Sequence, residues 1–122
     1  MFRSESKFIN RYSFFERTGE TSRIMKRYPD RFPVICEKNI YDVTCPDIDK
    51  HKYLVPYNIT VGQFMYVIRK QIRLPSSDTL FMFVGSERTI LSPNTEMSEA
   101  YYRFRNIDGF LYVMYSKENA FG

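Results

Sequence analysis

The sequence predicts an α+β fold, in which two short helices precede a small sheet covered on one face by a main helix. Three observations predict it. The first 28 residues place Phe8, Tyr12 and Phe15, then Ile24 and Tyr28, at three- and four-residue intervals with no alternating run, the spacing of short helices. Thr60-Val61-Gly62-Gln63 opens a longer helix, with a Thr cap and a Gln three residues on that can reach back to it. Leu80-Phe81-Met82-Phe83-Val84 is a continuous apolar run of strand length, as in the middle of a sheet.

The N-terminal pattern breaks near Thr18-Gly19, where two short helices are expected to meet, and Pro29 and Pro33 end it. Residues 32–38 read as a strand with Val34 and Cys36 facing one way and Pro33, Ile35 and Glu37 the other. One of its faces should be buried and the other free. Residues 39–49 are polar and Asp-rich, a loop. Lys52-Tyr53-Leu54-Val55-Pro56 is a second strand, and Pro56, which has no N–H for a ladder, suits a sheet edge.

The main helix is expected over residues 61–73, with Ile59 and Phe64 as a hydrophobic staple. Val61, Met65, Ile68 and Ile72 form its inward stripe, Arg69, Lys70 and Arg73 face solvent, and Pro75 closes it. After the strand at residues 80–84 the chain turns over residues 85–89. Thr95 then caps a helix whose Met97, Ala100, Tyr101 and Phe104 share a face, and residues 111–115 make the last strand. Without its first two helices the order is ββαβαβ, a β-grasp, the architecture of ubiquitin. Residues 1–28 are expected to form a helical extension packed on the domain, and residues 29–122 a ubiquitin-like domain with a flexible tail.

Composition removes several classes of function. Phe and Tyr make up 17% of the 122 residues, which supplies a bulky core. No apolar stretch approaches the ~18 residues of a membrane span, and Met1-Phe2-Arg3-Ser4-Glu5-Ser6 opens no signal region. Cys36 and Cys45 lack CxxC spacing, which fits a reducing, cytosolic compartment. The sole histidine, His51, sits in the charged run Asp49-Lys50-His51-Lys52. No nucleophile with a base and no metal set can be assembled, so neither an enzyme nor a cofactor is expected. The net charge of +4 comes wholly from the first 31 residues, where eight basic side chains stand against four acidic ones. That excess fits either an acidic partner surface or a solvated helix face. Nucleic acid is not expected, because the charge is confined to one end and no stacking platform accompanies it.

Several ordered segments then become specific. Residues 26–38 (Lys26-Arg27-Tyr28-Pro29-Asp30-Arg31-Phe32-Pro33-Val34-Ile35-Cys36-Glu37-Lys38), residues 47–56 (from Asp47-Ile48-Asp49 to Leu54-Val55-Pro56), Thr60-Val61-Gly62-Gln63-Phe64, Ile68-Arg69-Lys70 and Asp108-Gly109-Phe110-Leu111-Tyr112-Val113 resemble the autophagy ubiquitin-like modifier family, with its GABARAP and microtubule-associated light-chain branches. The match runs from Arg23 to Gly122.

The resemblance implies a modifier whose C-terminal glycine, Gly122, is activated by an E1-like enzyme, passed to an E2-like cysteine and joined to phosphatidylethanolamine on the autophagosome membrane. A glycine without a Cβ can thread a narrow enzyme channel. Phe121 would be gripped by a processing cysteine protease. The resemblance also implies capture of aromatic-x-x-aliphatic motifs of cargo receptors as an added strand on Lys52–Pro56. The aromatic pocket would comprise Glu20, Ile24, Pro33, Ile35, Lys52, Leu54 and Phe110. The aliphatic pocket would comprise Tyr53, Val55, Pro56, Ile59, Phe64 and Val67. Arg31, Lys50 and Lys52 would meet acidic flanks. Ordinary packing is the competing reading for each apolar member.

The chain departs from the family pattern at Thr18-Gly19-Glu20-Thr21-Ser22, where an interior Gly is expected to loosen the second helix, at Gln71, and in a long loop at residues 85–94. An unconjugated adaptor in trafficking or cytoskeletal binding is the alternative function.

Overall fold

The computed structural model describes residues 6–117. Two N-terminal helices, α1 (Lys7–Arg11) and α2 (Phe14–Arg27), are divided by a capping box in which Ser13 accepts from the Glu16 amide and the Glu16 carboxylate accepts from the Ser13 amide. The break therefore falls at Tyr12-Ser13 rather than at Thr18-Gly19. Helix α2 runs unbroken through Gly19, because the box starts it cleanly and two tertiary bonds hold its middle. Arg17 pairs with Asp108, and the Thr21 hydroxyl donates to the Asp108 carbonyl at 2.6 Å.

The remaining elements are β1 (Arg31–Lys38), β2 (Lys52–Pro56), α3 (Val61–Ile72), β3 (Phe81–Val84), β4 (Thr89–Ile90), α4 (Met97–Phe104) and β5 (Leu111–Ser116). The sheet order is β2-β1-β5-β3-β4, with β1 and β5 parallel at the centre and every other pair antiparallel. This is the β-grasp. Strand β4 lies in the segment expected to be turn and loop. It has two residues, both exposed, so neither alternation nor hydrophobicity announces it.

Strand β1 departs from the expectation of one free face. Phe32, Val34 and Cys36 join the core beneath α3, yet Pro33 and Ile35 on the other face are buried as well. Helix α2 packs on β1, and Phe8 of α1 sets its ring edge-on to Phe110 at 5.1 Å between centroids. The N-terminal helices thus form a second layer.

Helix α3 opens with the expected Thr60–Gln63 box and ends at Arg73, whose φ of 54° is left-handed. Its buried stripe is Val61, Phe64, Ile68 and Ile72, while Met65 is only partly buried. Phe64 is therefore a core residue. Helix α4 is capped by Glu96, not Thr95, and without a side-chain bond. A bridge between Thr60 and Glu96 joins the two helix starts, so the Met97 amide donates to the Ile59 carbonyl at 2.9 Å and the Val61 amide to the Thr95 carbonyl at 2.7 Å. Backbone from the neighbouring element does the work of a cap.

Candidate functional site: the open edge of β2

Strand β2 ends the sheet and pairs only with β1 among the described residues. The Cys36 amide donates to the His51 carbonyl at 2.8 Å, and the register sets Val34 opposite Tyr53 and Phe32 opposite Val55. In an antiparallel pair the inward-bonding residues alternate, so His51, Tyr53 and Val55 bond to β1 while Lys52 and Leu54 direct N–H and C=O outward. The side chains alternate too. Tyr53 and Val55 enter the core, Lys52, Leu54 and Pro56 are half-buried, and Lys52 and Leu54 stand on the α2 side.

Beside this edge lies an open recess of about 650 Å³ between α2 and β2. Of the residues expected around the aromatic pocket, Glu20, Ile24, Lys52 and Leu54 line it, together with Arg31 and Lys50. Pro33, Ile35 and Phe110 do not. They are buried beneath the N-terminal helices, with Phe8 lying over Phe110. Lys52 closes the floor further, donating to Glu20 at 2.6 Å while its ammonium sits 5.7 Å from the Phe8 ring centroid. Sequence reasoning missed Arg23, Arg27 and Tyr28, which also line the recess. Their signal was present: residues 20, 23, 24 and 27 share one face of a continuous helix.

The residues expected around the aliphatic pocket divide as well. Tyr53, Val55 and Phe64 belong to the core at 6%, 3% and 2% exposure, with the Tyr53 and Phe64 rings edge-on at 5.6 Å. Pro56 and Ile59 are half-buried, and Val67 is 40% exposed. The Tyr53 hydroxyl is buried without a hydrogen-bond partner, and burial pushes its pKa up. Lys50 lies over the Tyr53 ring at 4.9 Å.

Gly122 and Phe121 lie outside the described residues. The chain approaches them from a fixed point. Asp42, 6% exposed, accepts from the Ser116 hydroxyl and the Lys117 amide, each at 2.8 Å, and from the Thr44 hydroxyl at 2.8 Å. Burial opposes its charged form, but these bonds outweigh burial and hold its pKa down at about 2. Cys36 and Cys45 are unbridged and buried, and burial raises both thiols, Cys45 to about 11. Among the described residues no cluster of His, Cys, Asp and Glu could hold a metal, and no helix is long and apolar enough to cross a membrane.

The family model described as "Autophagy protein Atg8 ubiquitin like" matches residues 16–122. The chain is 50% identical to "Autophagy-related protein 8" of Pichia angusta over 118 residues, covering 96% of this chain and 91% of that one. It is also 50% identical to the protein of the same name from Candida albicans, covering 96% and 84%. Among solved structures, the crystal structure of Trypanosoma brucei ATG8 superposes with a TM-score of 0.86 at 36% identity, covering 93% of this chain and 95% of that one. A β-grasp with two helices layered on its outer face, matched along nearly its whole length, places this chain in the Atg8 ubiquitin-like family of autophagy proteins.

Proposed function

We propose that the protein is a ubiquitin-like modifier joined through Gly122 to phosphatidylethanolamine on autophagosomal membranes, and that it captures aromatic-x-x-aliphatic motifs at the β2 edge. It is not itself an enzyme. E1-like and E2-like enzymes carry the carboxylate, and a cysteine protease recognising Phe121 exposes it where residues follow Gly122. The protein is cytoplasmic until lipidated. One lipid with two acyl chains then anchors it, each buried CH₂ contributing ~0.8 kcal/mol.

The observation that carries the motif-binding half is the outward-facing backbone of Lys52 and Leu54 beside a recess lined by Ile24, Leu54 and basic side chains. A docked peptide adds main-chain bonds to Lys52 and Leu54 and sets its aromatic side chain against Ile24 and Leu54. Pro56, Ile59 and Val67 offer the exposed surface for its aliphatic residue. Such docking, offset by ordering of the peptide, gives affinity near micromolar, about −8 kcal/mol.

Two substitutions test the two halves separately. Gly122→Ala abolishes the phosphatidylethanolamine adduct, read by intact mass from cells with induced autophagy, and leaves peptide affinity unchanged. Leu54→Ala weakens binding of an aromatic-x-x-aliphatic peptide by about 1–3 kcal/mol in calorimetry and leaves the adduct intact. An adduct on Gly122→Ala refutes Gly122 as the required point of attachment, absence of an adduct on the wild type refutes conjugation, and unchanged affinity on Leu54→Ala refutes the pocket.

A further inference from the structure

We infer that the loop after β1 is a membrane-contact site: once the chain is tethered through Gly122, Tyr41 and Val43 enter the interface of the bilayer. This rests on the conjugation reading above. The loop sorts its side chains in reverse. Asn39 and Asp42 are buried at 2% and 6% exposure, while Ile40, Tyr41 and Val43 stand 45%, 69% and 85% exposed. Polar residues turned inward beneath three exposed apolar ones depart from the usual partition, and such a cluster marks a contact surface.

The reversal is built by hydrogen bonds. The Asn39 amide donates to the Tyr115 carbonyl at 2.8 Å, the Asn39 carboxamide oxygen accepts from the Tyr41 amide at 3.1 Å, and the Asp42 carboxylate holds the Ser116 hydroxyl and the Lys117 amide. The loop and the end of β5 are therefore one fixed unit. Five residues, 118–122, lead from Lys117 to Gly122, and covalent geometry limits their span to about 17 Å. A lipid joined at Gly122 thus brings the bilayer to this end of the sheet, where the parallel strands β1 and β5 both finish.

The chemistry of the loop suits lipid. A tyrosine sets an apolar ring and a polar tip at the headgroup level, and Ile40 and Val43 add apolar surface for the acyl boundary. The carboxylates beside the loop do not oppose this, because each is engaged: Asp42 by Ser116 and Lys117, Glu37 by Ser6 and the Phe8 amide, Asp47 by Lys38, and Asp78 by Lys117. Three side chains are too few to hold a free protein on a membrane. The tether supplies an effective concentration on the order of millimolar, at which a weak contact forms and fixes the orientation of the molecule.

The chain has no tryptophan, so one introduced residue reports its own surroundings. Val43→Trp and, as a control, Ile107→Trp are each combined with Gly122→Cys and coupled at position 122 to a maleimide derivative of phosphatidylethanolamine in phosphatidylcholine vesicles. Cys36 and Cys45 are buried and stay out of the reaction. Ile107 is 87% exposed and precedes β5, at the opposite end of the sheet. The coupled Val43→Trp emission shifts to the blue and is quenched by lipids brominated on the acyl chain. The coupled Ile107→Trp emission does neither, and uncoupled Val43→Trp mixed with the same vesicles stays unshifted. Adding Tyr41→Asp to coupled Val43→Trp reverses the shift, because a charge resists entry.

No shift in coupled Val43→Trp, or equal quenching at positions 43 and 107, overturns the contact and leaves conjugation standing. A shift that follows protein concentration without vesicles assigns the loop to a second copy of the chain and overturns the contact as well. A wild-type chain that forms no adduct in cells removes the tether, and both readings fall. Should Val43→Trp fail to fold in a thermal melt, Tyr41→Trp, at a position 69% exposed, carries the same test.

Discussion

Tyr53 carries a polar atom that the fold leaves unused. Its ring packs against Phe64 and beneath Lys50, while its hydroxyl is buried with no partner among the described residues. A buried hydroxyl without a bond loses its hydration and recovers nothing. Tyr53→Phe keeps both ring contacts and removes the orphan atom, so stability should rise by about 1 kcal/mol in urea denaturation. A fall in stability would mean that the hydroxyl is hydrated or bonded in solution. The same residue shows what sequence resolves at this scale. Period-two alternation along β2 separates Tyr53 and Val55 from Lys52 and Leu54, because a one-residue shift exchanges faces. It does not tell a pocket wall from a core residue. Tyr53, Val55 and Phe64 lie in the core at 6%, 3% and 2% exposure, which the packing of α3 on the sheet decides and no local pattern reports.

Helix α2 makes the corresponding point about elements. Ser13-x-x-Glu16 is the same kind of signal as Thr60-x-x-Gln63, and both produce capping boxes. Gly19 nonetheless reads as the stronger punctuation, since it lowers local helix propensity. The Thr21 and Arg17 bonds to Asp108 override it, and they span 87 and 91 residues of sequence, where no local pattern reaches. For the same reason the second buried face of β1 and the two-residue β4 are not legible locally. Two glycine substitutions should therefore act in opposite directions. A Cβ at Gly19 would meet Arg23 Nη1 at 3.4 Å, ordinary contact with a flexible side chain. Gly19→Ala should stabilise by about 0.5–1 kcal/mol. Gly109 has a φ of +95°, and a Cβ there would meet Thr21 Oγ1 at 2.6 Å. Gly109→Ala should destabilise by about 1–3 kcal/mol and lower amide protection in α2, because it forces apart the α2–Asp108 contact. Stability that changes in the same direction for both variants would contradict this account of α2.

At the scale of the whole molecule, the fold joins distant parts of the chain at two places. At the recess it adds Lys50 and Lys52 to Arg23, Arg27 and Arg31 from the basic N-terminal quarter, a concentration that the charge count only half reveals. At the other place Asp42, from the loop after β1, holds Ser116 and Lys117 at the end of β5. This second junction should set the acid limit of stability. The Asp42 carboxyl titrates at about 2 in the fold against an ordinary 3.8, so folding favours its charged form. Its contribution is complete above about pH 4 and disappears as pH falls through about 2, because protonation removes acceptors from the Ser116 and Lys117 bonds. The difference is worth about 2 kcal/mol at neutral pH. Asp42→Asn should therefore be less stable than wild type near neutrality by about that amount, and the two stability curves should converge between pH 4 and 2. Chemical denaturation at a series of pH values reads this directly. A constant gap down to pH 2 would show that Asp42 acts by shape and not by charge, and the acid limit would then belong to other carboxylates.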